Sequence, residues 1–305
     1  MSKLLYNFIG DIMELIIGSH VSFNSKTQLV GSVSEALSYD ANTFMFYTGP
    51  AQSTIRSEIN DELTYEAYKM MVSNKINPNN VIVHAPYIVN LANKNDIDKY
   101  KFYVNFFIEE MKRVKQLGFD KIVLHPGNAV NLTREGAINN IIEGLNTIFD
   151  NTTDTRILLE FMAGKGNEVG TSINELKTII DGVKDQDRIR VCLDTCHMND
   201  AGIDLTKFDS FLDEFDKVIG LSKLECIHIN DSMNPINSHK DRHQNIGYGT
   251  IGFDILNNIV HNERLESIPK ILETPWVNRN KSDEYPPYKY EISNFRTCKF
   301  NDFIR

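Results

Sequence analysis

The strongest constraint on this chain is a unit that recurs eight times. A short β-branched or apolar run ends on a polar residue, a loop follows, and a stretch of helical length completes the unit. The runs are Glu14–Ser19, Thr43–Tyr47, Val81–Val83, Lys121–Leu124, Arg156–Leu159, Ile189–Leu193, Glu225–Ile229 and Pro269–Leu272. Helical patterns lie between them, among others at Ile59–Val72, Asp96–Leu117, Glu135–Phe149, Ser172–Val183 and Leu205–Ile219. Gly118 is a fitting stop for the helix ending at Leu117. Strands that alternate with helices pair in parallel, each crossover carrying a helix. Eight such units in 305 residues predict a closed (β/α)₈ TIM barrel rather than a doubly wound open sheet. No Pro/Gly/Ser linker or composition break divides the chain. The expectation is one barrel domain over residues 13–305, preceded by an extension over residues 1–12.

Composition removes several classes. With 41% hydrophobic and 24% charged residues the chain builds a core and is not disordered. No apolar run approaches the roughly 20 residues needed to cross a bilayer, so no membrane role is expected. Met1–Gly18 resembles a signal peptide only superficially, because Asp11 and Glu14 interrupt it and no small-residue cleavage site follows. Four cysteines (Cys192, Cys196, Cys226 and Cys298) do not make a disulfide framework in a chain this long. They fit a cytoplasmic setting, nucleoid-associated if the source is bacterial. A net charge of -9 argues, on bulk charge alone, against a nucleic-acid partner.

The informative residues stand at the strand ends. Read to their C-terminal ends, the runs deliver His20, His84, His125, Glu160, Asp194, His228 and Glu273. A barrel opens all its strand ends on one face, the face where active sites sit. A lone histidine near an apolar run is usually a hydrogen-bonded interior residue, and a lone glutamate after a strand is usually a cap. Seven such groups on one rim are different, because desolvating them together is costly unless cations neutralise them. A polynuclear metal site is expected. In Asp194-Thr-Cys-His197 the strand ends at the carboxylate and the chain turns to present an imidazole. In Asp241-Arg-His243 the i, i+2 spacing puts both side chains on one side of an extended segment. A donor set of imidazole and carboxylate, without obligatory thiolate, suits catalytic zinc with open positions, with manganese or iron next.

Other motifs carry less. Gly247-Tyr-Gly-Thr-Ile-Gly252 matches GxGxxG, but the polar stretch before it is no strand, so a loop is expected rather than a phosphate cradle. Cys192 reads as a buried strand thiol and Cys196 as a neighbour of the metals. His239 and His261 read as surface residues.

Seven motifs, in order, resemble the endonuclease IV family. They are His84-Ala-Pro-Tyr87, Leu124-His-Pro-Gly127, Leu159-Glu160 with Ala163-Gly164 and Gly166, Leu193-Asp-Thr-Cys-His197, His228-Ile-Asn-Asp-Ser232, Asp241-Arg-His-Gln-Asn-Ile-Gly247 and Leu272-Glu-Thr-Pro275. The resemblance implies a (β/α)₈ hydrolase of the deoxyribonuclease IV type, an apurinic/apyrimidinic endonuclease of DNA base excision repair with three zinc ions. It would act as a monomer on double-stranded DNA, cutting the phosphodiester 5′ to an abasic site and leaving a 3′-hydroxyl and a 5′-deoxyribose phosphate. A 3′-end-cleaning phosphodiesterase or phosphatase activity would accompany it. His84 and His125 would hold one zinc and Glu160 would bridge to a second, as the catalytic carboxylate. Asp194, His228 and Glu273 would complete the second site, and His197, Asp241 and His243 would hold the third. Tyr87 and Gln52 would contact DNA, Gln52 standing where the family often has an arginine wedge. The chain departs from the family pattern at Phe161, Met162, Lys165, Met233 and Tyr248.

A metal-dependent sugar isomerase or epimerase is the rival reading. It would explain Glu160, Asp194, His228 and Glu273 but leave His84, His125, His197 and Asp241-Arg-His243 without a role. A non-catalytic zinc-binding protein is a third, though nine ligands shared by three ions leave coordination positions open.

Overall fold

The computed structural model describes residues 14–278 and 283–304. The expected extension over residues 1–12 lies outside them. Among the described residues, eight parallel strands close a barrel: β1 (Ile17–Val21), β2 (Thr43–Phe46), β3 (Ile82–His84), β4 (Lys121–Leu124), β5 (Arg156–Glu160), β6 (Ile189–Asp194), β7 (Leu224–His228) and β10 (Lys270–Leu272). β10 pairs with both β7 and β1 and so completes the ring. Between β7 and β10 lies a short antiparallel ribbon of β8 (Asp231–Ser232) with β9 (His243–Gln244). The strands expected from sequence are all present, with ends shifted by up to three residues.

Helices fill the crossovers: α1 (Gln28–Ser38), α2 (Asp61–Ser73), α3 (Ile97–Gln116), α4 (Arg134–Asp150), α5 (Ile173–Gly182), α6 (Thr195–Asp200), α7 (Phe208–Val218), α8 (Phe253–Val260) and α9 (Tyr288–Arg296). Side chains start several of them. Asn60 accepts from Leu63 N–H, Asp96 from Lys99 N–H and Ser172 from Glu175 N–H, each satisfying an amide the helix leaves free. Beyond α3, Gly118 takes φ 82°, the left-handed turn foreseen for it.

Strand register sorts the side chains into two populations, since paired residues in a parallel sheet point the same way. One population faces the helices and forms the main core, with Phe44, Phe46, Leu124, Leu159 and Leu193 among its members. The other faces the barrel axis in levels. Met45, Ile82, Val123, Leu158, Cys192, Cys226 and Ile271 make a fully buried apolar floor. Two residues further along their strands stand Tyr47, His84, His125, Glu160, Asp194, His228 and Glu273. In β1 glycine at position 18 takes the floor level, where a Cβ would fall 1.8 Å from the Thr43 carbonyl oxygen, and His20 stands above it. At the opposite end of the barrel, Arg156 and Arg190 bind Glu225 at 2.7 and 2.9 Å.

Candidate metal centre

The ring above the floor is where the strand-end residues meet. Glu160, at the end of β5, is 1% exposed and lies at its centre. Its Oε2 is 3.2 Å from His84 Nε2 and 3.1 Å from His125 Nε2. Its Oε1 is 3.2 Å from both His228 Nδ1 and His197 Nδ1. Burial would push the Glu160 carboxyl up, but the imidazoles of His125 and His228, with hydrogen bonds from His125 and His197, hold it well below the usual carboxylate range. His228 Nδ1 also faces Glu273 Oε2 at 3.0 Å and Asp194 Oδ2 at 3.7 Å.

Asp194 performs two tasks. Its Oδ1 caps α6 by accepting from His197 N–H at 2.8 Å, and its Oδ2 accepts from Asn230 Nδ2 at 2.7 Å. The cap turns the chain so that the His197 ring enters the ring of ligands, as the Asp194-to-His197 spacing suggested. His197 Nε2 then meets Asp241 Oδ1 at 3.1 Å. The Asp241 carboxyl is lowered to about 2: burial opposes ionisation, and the His197 hydrogen bond with the charges of His197 and His243 outweighs it. His243 Nε2 stands 3.7 Å from both Asp194 Oδ2 and Asp241 Oδ1 and is buried without a hydrogen-bond partner.

All nine expected ligands are therefore together. Three groups drawn from these ligands bring donor atoms within 4.8 Å of one another and could each hold a cation: His84, His125 and Glu160; Glu160, Asp194, His228 and Glu273; and Asp194, His197 and His243, with Asp241 outside all three but 3.1 Å from His197. Glu160 belongs to two groups, and Asp194 joins the third, which sequence reasoning did not assign to it. The partnerless His243 Nε2 and the crowding of carboxylates against imidazoles fit metal ions well.

One expectation needs correction. Asp241 does not sit in an extended segment: its φ is 54°, and its N–H is held by Asp200 Oδ2 at 2.9 Å. The left-handed turn, not strand alternation, brings it beside His243. His20 reaches the ring but joins none of the three groups; burial lowers its imidazole to about 4, and it packs against Tyr47 with ring centroids 4.9 Å apart. Tyr47 in turn lies 5.1 Å from His84. The arc over β1 and β2 is thus the one that the three groups leave free, and beside it His20, Tyr47, Phe23, Pro50, Ala51 and Ile55 line a cavity of about 630 Å³.

Tyr87 is 47% exposed on the loop beyond β3, and Gln52 is exposed on the loop beyond β2. Arg56 is on the same loop but turned inward, bound to Glu110 at 2.7 Å and to the carbonyls of Ser53 and Ile55. Phe161 is buried against Phe211 and offers only its carbonyl, to His197 Nδ1 at 3.0 Å, which is why an aromatic side chain is tolerated there. Tyr248 receives Phe303 and Ile304 N–H on its hydroxyl at 3.0 and 3.1 Å, so this departure anchors the C-terminal segment. The GxGxxG segment does form a loop. Its amides at Gly247, Gly249, Ile251 and Gly252 converge on the Asp231 carboxylate, at 3.0 to 3.3 Å, an internal anion in place of a phosphate. Sequence reasoning missed Asp231, because nothing local distinguishes it from any Asn-Asp pair. Cys196 is buried but belongs to no ligand group, whereas Cys192 and Cys226 lie below His228 with sulfur atoms within 4.8 Å of its ring nitrogen.

A family model described as a xylose isomerase-like TIM barrel matches residues 33–298. A protein of Staphylococcus carnosus named probable endonuclease 4 is 49% identical over 94% of this chain and 97% of its own. The crystal structure of endonuclease IV from Thermus thermophilus superposes with a TM-score of 0.76 at 26% identity, covering 92% of this chain and 97% of that one. A 3-keto-D-glucoside 4-epimerase from E. coli shares the fold, with a TM-score of 0.64 at 13% identity over 93% of this chain and the whole of that one.

Proposed function

The chain belongs to the endonuclease IV family, and from that membership we propose a three-zinc hydrolase that cuts duplex DNA at the phosphodiester 5′ to an abasic site. The observation that carries this reading is the ring of nine donors, eight of them in three overlapping groups and the ninth, Asp241, beside His197 and His243. A sugar epimerase on the same barrel has no use for the His197, Asp241 and His243 end of that ring. His84 and His125 would hold the first ion, Asp194, His228 and Glu273 the second, and His197, Asp241 and His243 the third, with Glu160 available to the first two. The ions supply Lewis acidity, offsetting the charge that grows on the phosphodiester and making water nucleophilic near neutral pH.

The protein supplies the rest. Asn230 fixes two ligands at once, donating to Asp194 and accepting from Glu273 N–H at 2.9 Å. Glu160, held ionised by the surrounding imidazoles, would orient the water that attacks phosphorus and help to take its proton. Lys165, Lys240 and Arg242 are exposed on loops that follow β5 and β8, within reach of backbone phosphates. A net charge of -9 weakens long-range steering, but cations in the ring turn the mouth into an anion site. An extrahelical abasic nucleotide reaches this mouth easily because it has no base to stack. Tyr87 enters the gap it leaves.

A duplex with one abasic site should be nicked on its 5′ side, giving a 3′-hydroxyl. Strong chelation should abolish the reaction and zinc restore it. Glu160→Gln should fold and cleave orders of magnitude more slowly. Fewer than two ions per folded chain, or near wild-type turnover by the glutamine variant, would sink the assignment.

A further inference from the structure

Two of the proposed ligands are followed by the same short pattern. His84 leads into Ala85-Pro86-Tyr87, and Glu273 into Thr274-Pro275-Trp276. In each case a ligand stands at or just past a strand end, a proline fixes the turn, and an aromatic residue comes third. The side chains agree: Tyr87 is 47% exposed and Trp276 is 49% exposed. Among the described residues, neither ring stacks on another aromatic side chain.

Among the described residues the half-exposed indole has no stacking partner, which leaves its face open to a ligand. The loop that presents it is firmly built. Pro275 O accepts from Asn245 Nδ2 at 2.7 Å, Thr274 Oγ1 donates to the buried Glu291 carboxylate, and Val277 pairs with Tyr285 on the far side. Trp276 is therefore held at the rim by its flanks while its ring stays free.

Topology sets the two aromatics apart. The strand order runs β10, β1, β2, β3, so Trp276 and Tyr87 stand at the two ends of the arc that holds His20 and Tyr47. That arc borders the ring yet contributes no member to the three donor groups.

We propose that Trp276 is a second stacking residue for damaged DNA, seated on an unpaired base face across this arc from Tyr87. The inference rests on the endonuclease reading and adds a contact to it. A duplex missing one base exposes π-faces on both sides of the lesion and on the orphaned partner, whereas one aromatic post can cover only one of them. Two posts astride the arc cover two.

Trp276 is the single tryptophan of the chain, so the contact reports on itself. The metal-loaded protein is titrated with an abasic duplex carrying a phosphorothioate at the scissile position, so that it binds without being consumed. Tryptophan emission should be strongly quenched, and quenched far less by the undamaged duplex at the same salt. Trp276→Ala should bind the abasic duplex roughly 5- to 100-fold more weakly, since stacking of a base on an aromatic ring has about that effect. Trp276→Phe should recover most of the loss, and both variants should keep the wild-type metal content. Tight abasic binding with unchanged emission would overturn this inference alone. So would an equal loss on both duplexes, or a loss of metal in Trp276→Ala, which would make the residue a support for Glu273. Failure of the wild type to bind abasic duplex at all would remove the endonuclease reading and this inference with it.

Discussion

Glu160 and Tyr87 show how differently single residues come by their roles. Glu160 is fixed from every side: four imidazole nitrogens lie within 3.2 Å of its two oxygens. Tyr87 stands beyond Pro86 and the strand before it, and its ring is 47% exposed and stacks on no other aromatic ring among the described residues. Tyr87→Ala should therefore keep its metals and its fold but bind abasic duplex about 5- to 100-fold more weakly, following ~1–3 kcal/mol of lost stacking. Binding to undamaged duplex, measured at the same salt, should change far less; equal weakening on both would make Tyr87 a packing residue. The same contrast explains what could be read from sequence. Inward strand-end ligands such as His84, Glu160 and His228 announce themselves by position, because an apolar run must end where the barrel opens. Asp231, Arg56 and Glu291 do not. Their partners lie 16, 54 and 45 residues away, and no local pattern points to them.

At the scale of elements, strands were more legible than helices. α1 was not singled out because Gly31 and three serines dilute its apolar face, and the helix is held by packing on α2, β1 and β2 rather than by propensity. α6 was invisible as a helix, being six residues long and defined by the Asp194 cap. Asp241 and His243 were legible as a pair from their i, i+2 spacing, but the resemblance to a known motif was needed to make them ligands, since a long loop has no periodicity to read. β10 carries an oddity of its own. Lys270 is 1% exposed, its ammonium donates to Leu265 O, and burial lowers its pKa to about 8. The unfolded chain keeps that proton to about pH 10.4, so between pH 8 and 10 it binds more protons than the folded protein, and stability rises with pH there. Lys270→Met should remove this slope and stabilise the fold near pH 7 by roughly 1–3 kcal/mol. Denaturant melts at pH 7 and pH 9.5 would check it; a less stable variant with an unchanged slope would mean that the ammonium's hydrogen bond prevails.

For the whole molecule, the ring is a concentration of charge placed over an apolar floor, and bound cations should contribute to stability as well as to chemistry. Removing them with a strong chelator should lower the melting temperature, because ions that bind only the folded chain stabilise it by mass action. Carboxylates hold the His197 imidazole well above its ordinary range, led by Asp194 against the opposing effect of burial. Protons therefore compete with metal, and the chelator-induced drop should shrink as pH falls from 8 towards 6. A drop independent of pH, followed by calorimetry with and without zinc, would contradict this. The barrel itself was plain in the sequence, since eight alternating units leave little choice. Its charge was misleading, because -9 describes the chain and not the mouth.

The floor beneath the ring has one more consequence. Met45, Ile82, Val123, Leu158, Cys192, Cys226 and Ile271 are each 0% exposed, and charged groups bound to one another sit at the far end of the barrel. Ions have no rear exit. On the proposed function they would arrive and depart through the mouth, which a seated duplex would cover, so the substrate would also be a stopper. While DNA is seated the cations would be trapped, and a chelator would have to wait for product to leave. Metal loss then becomes a clocked event that can happen only between turnovers, and an enzyme kept busy on damaged DNA should retain its zinc longer than an idle one.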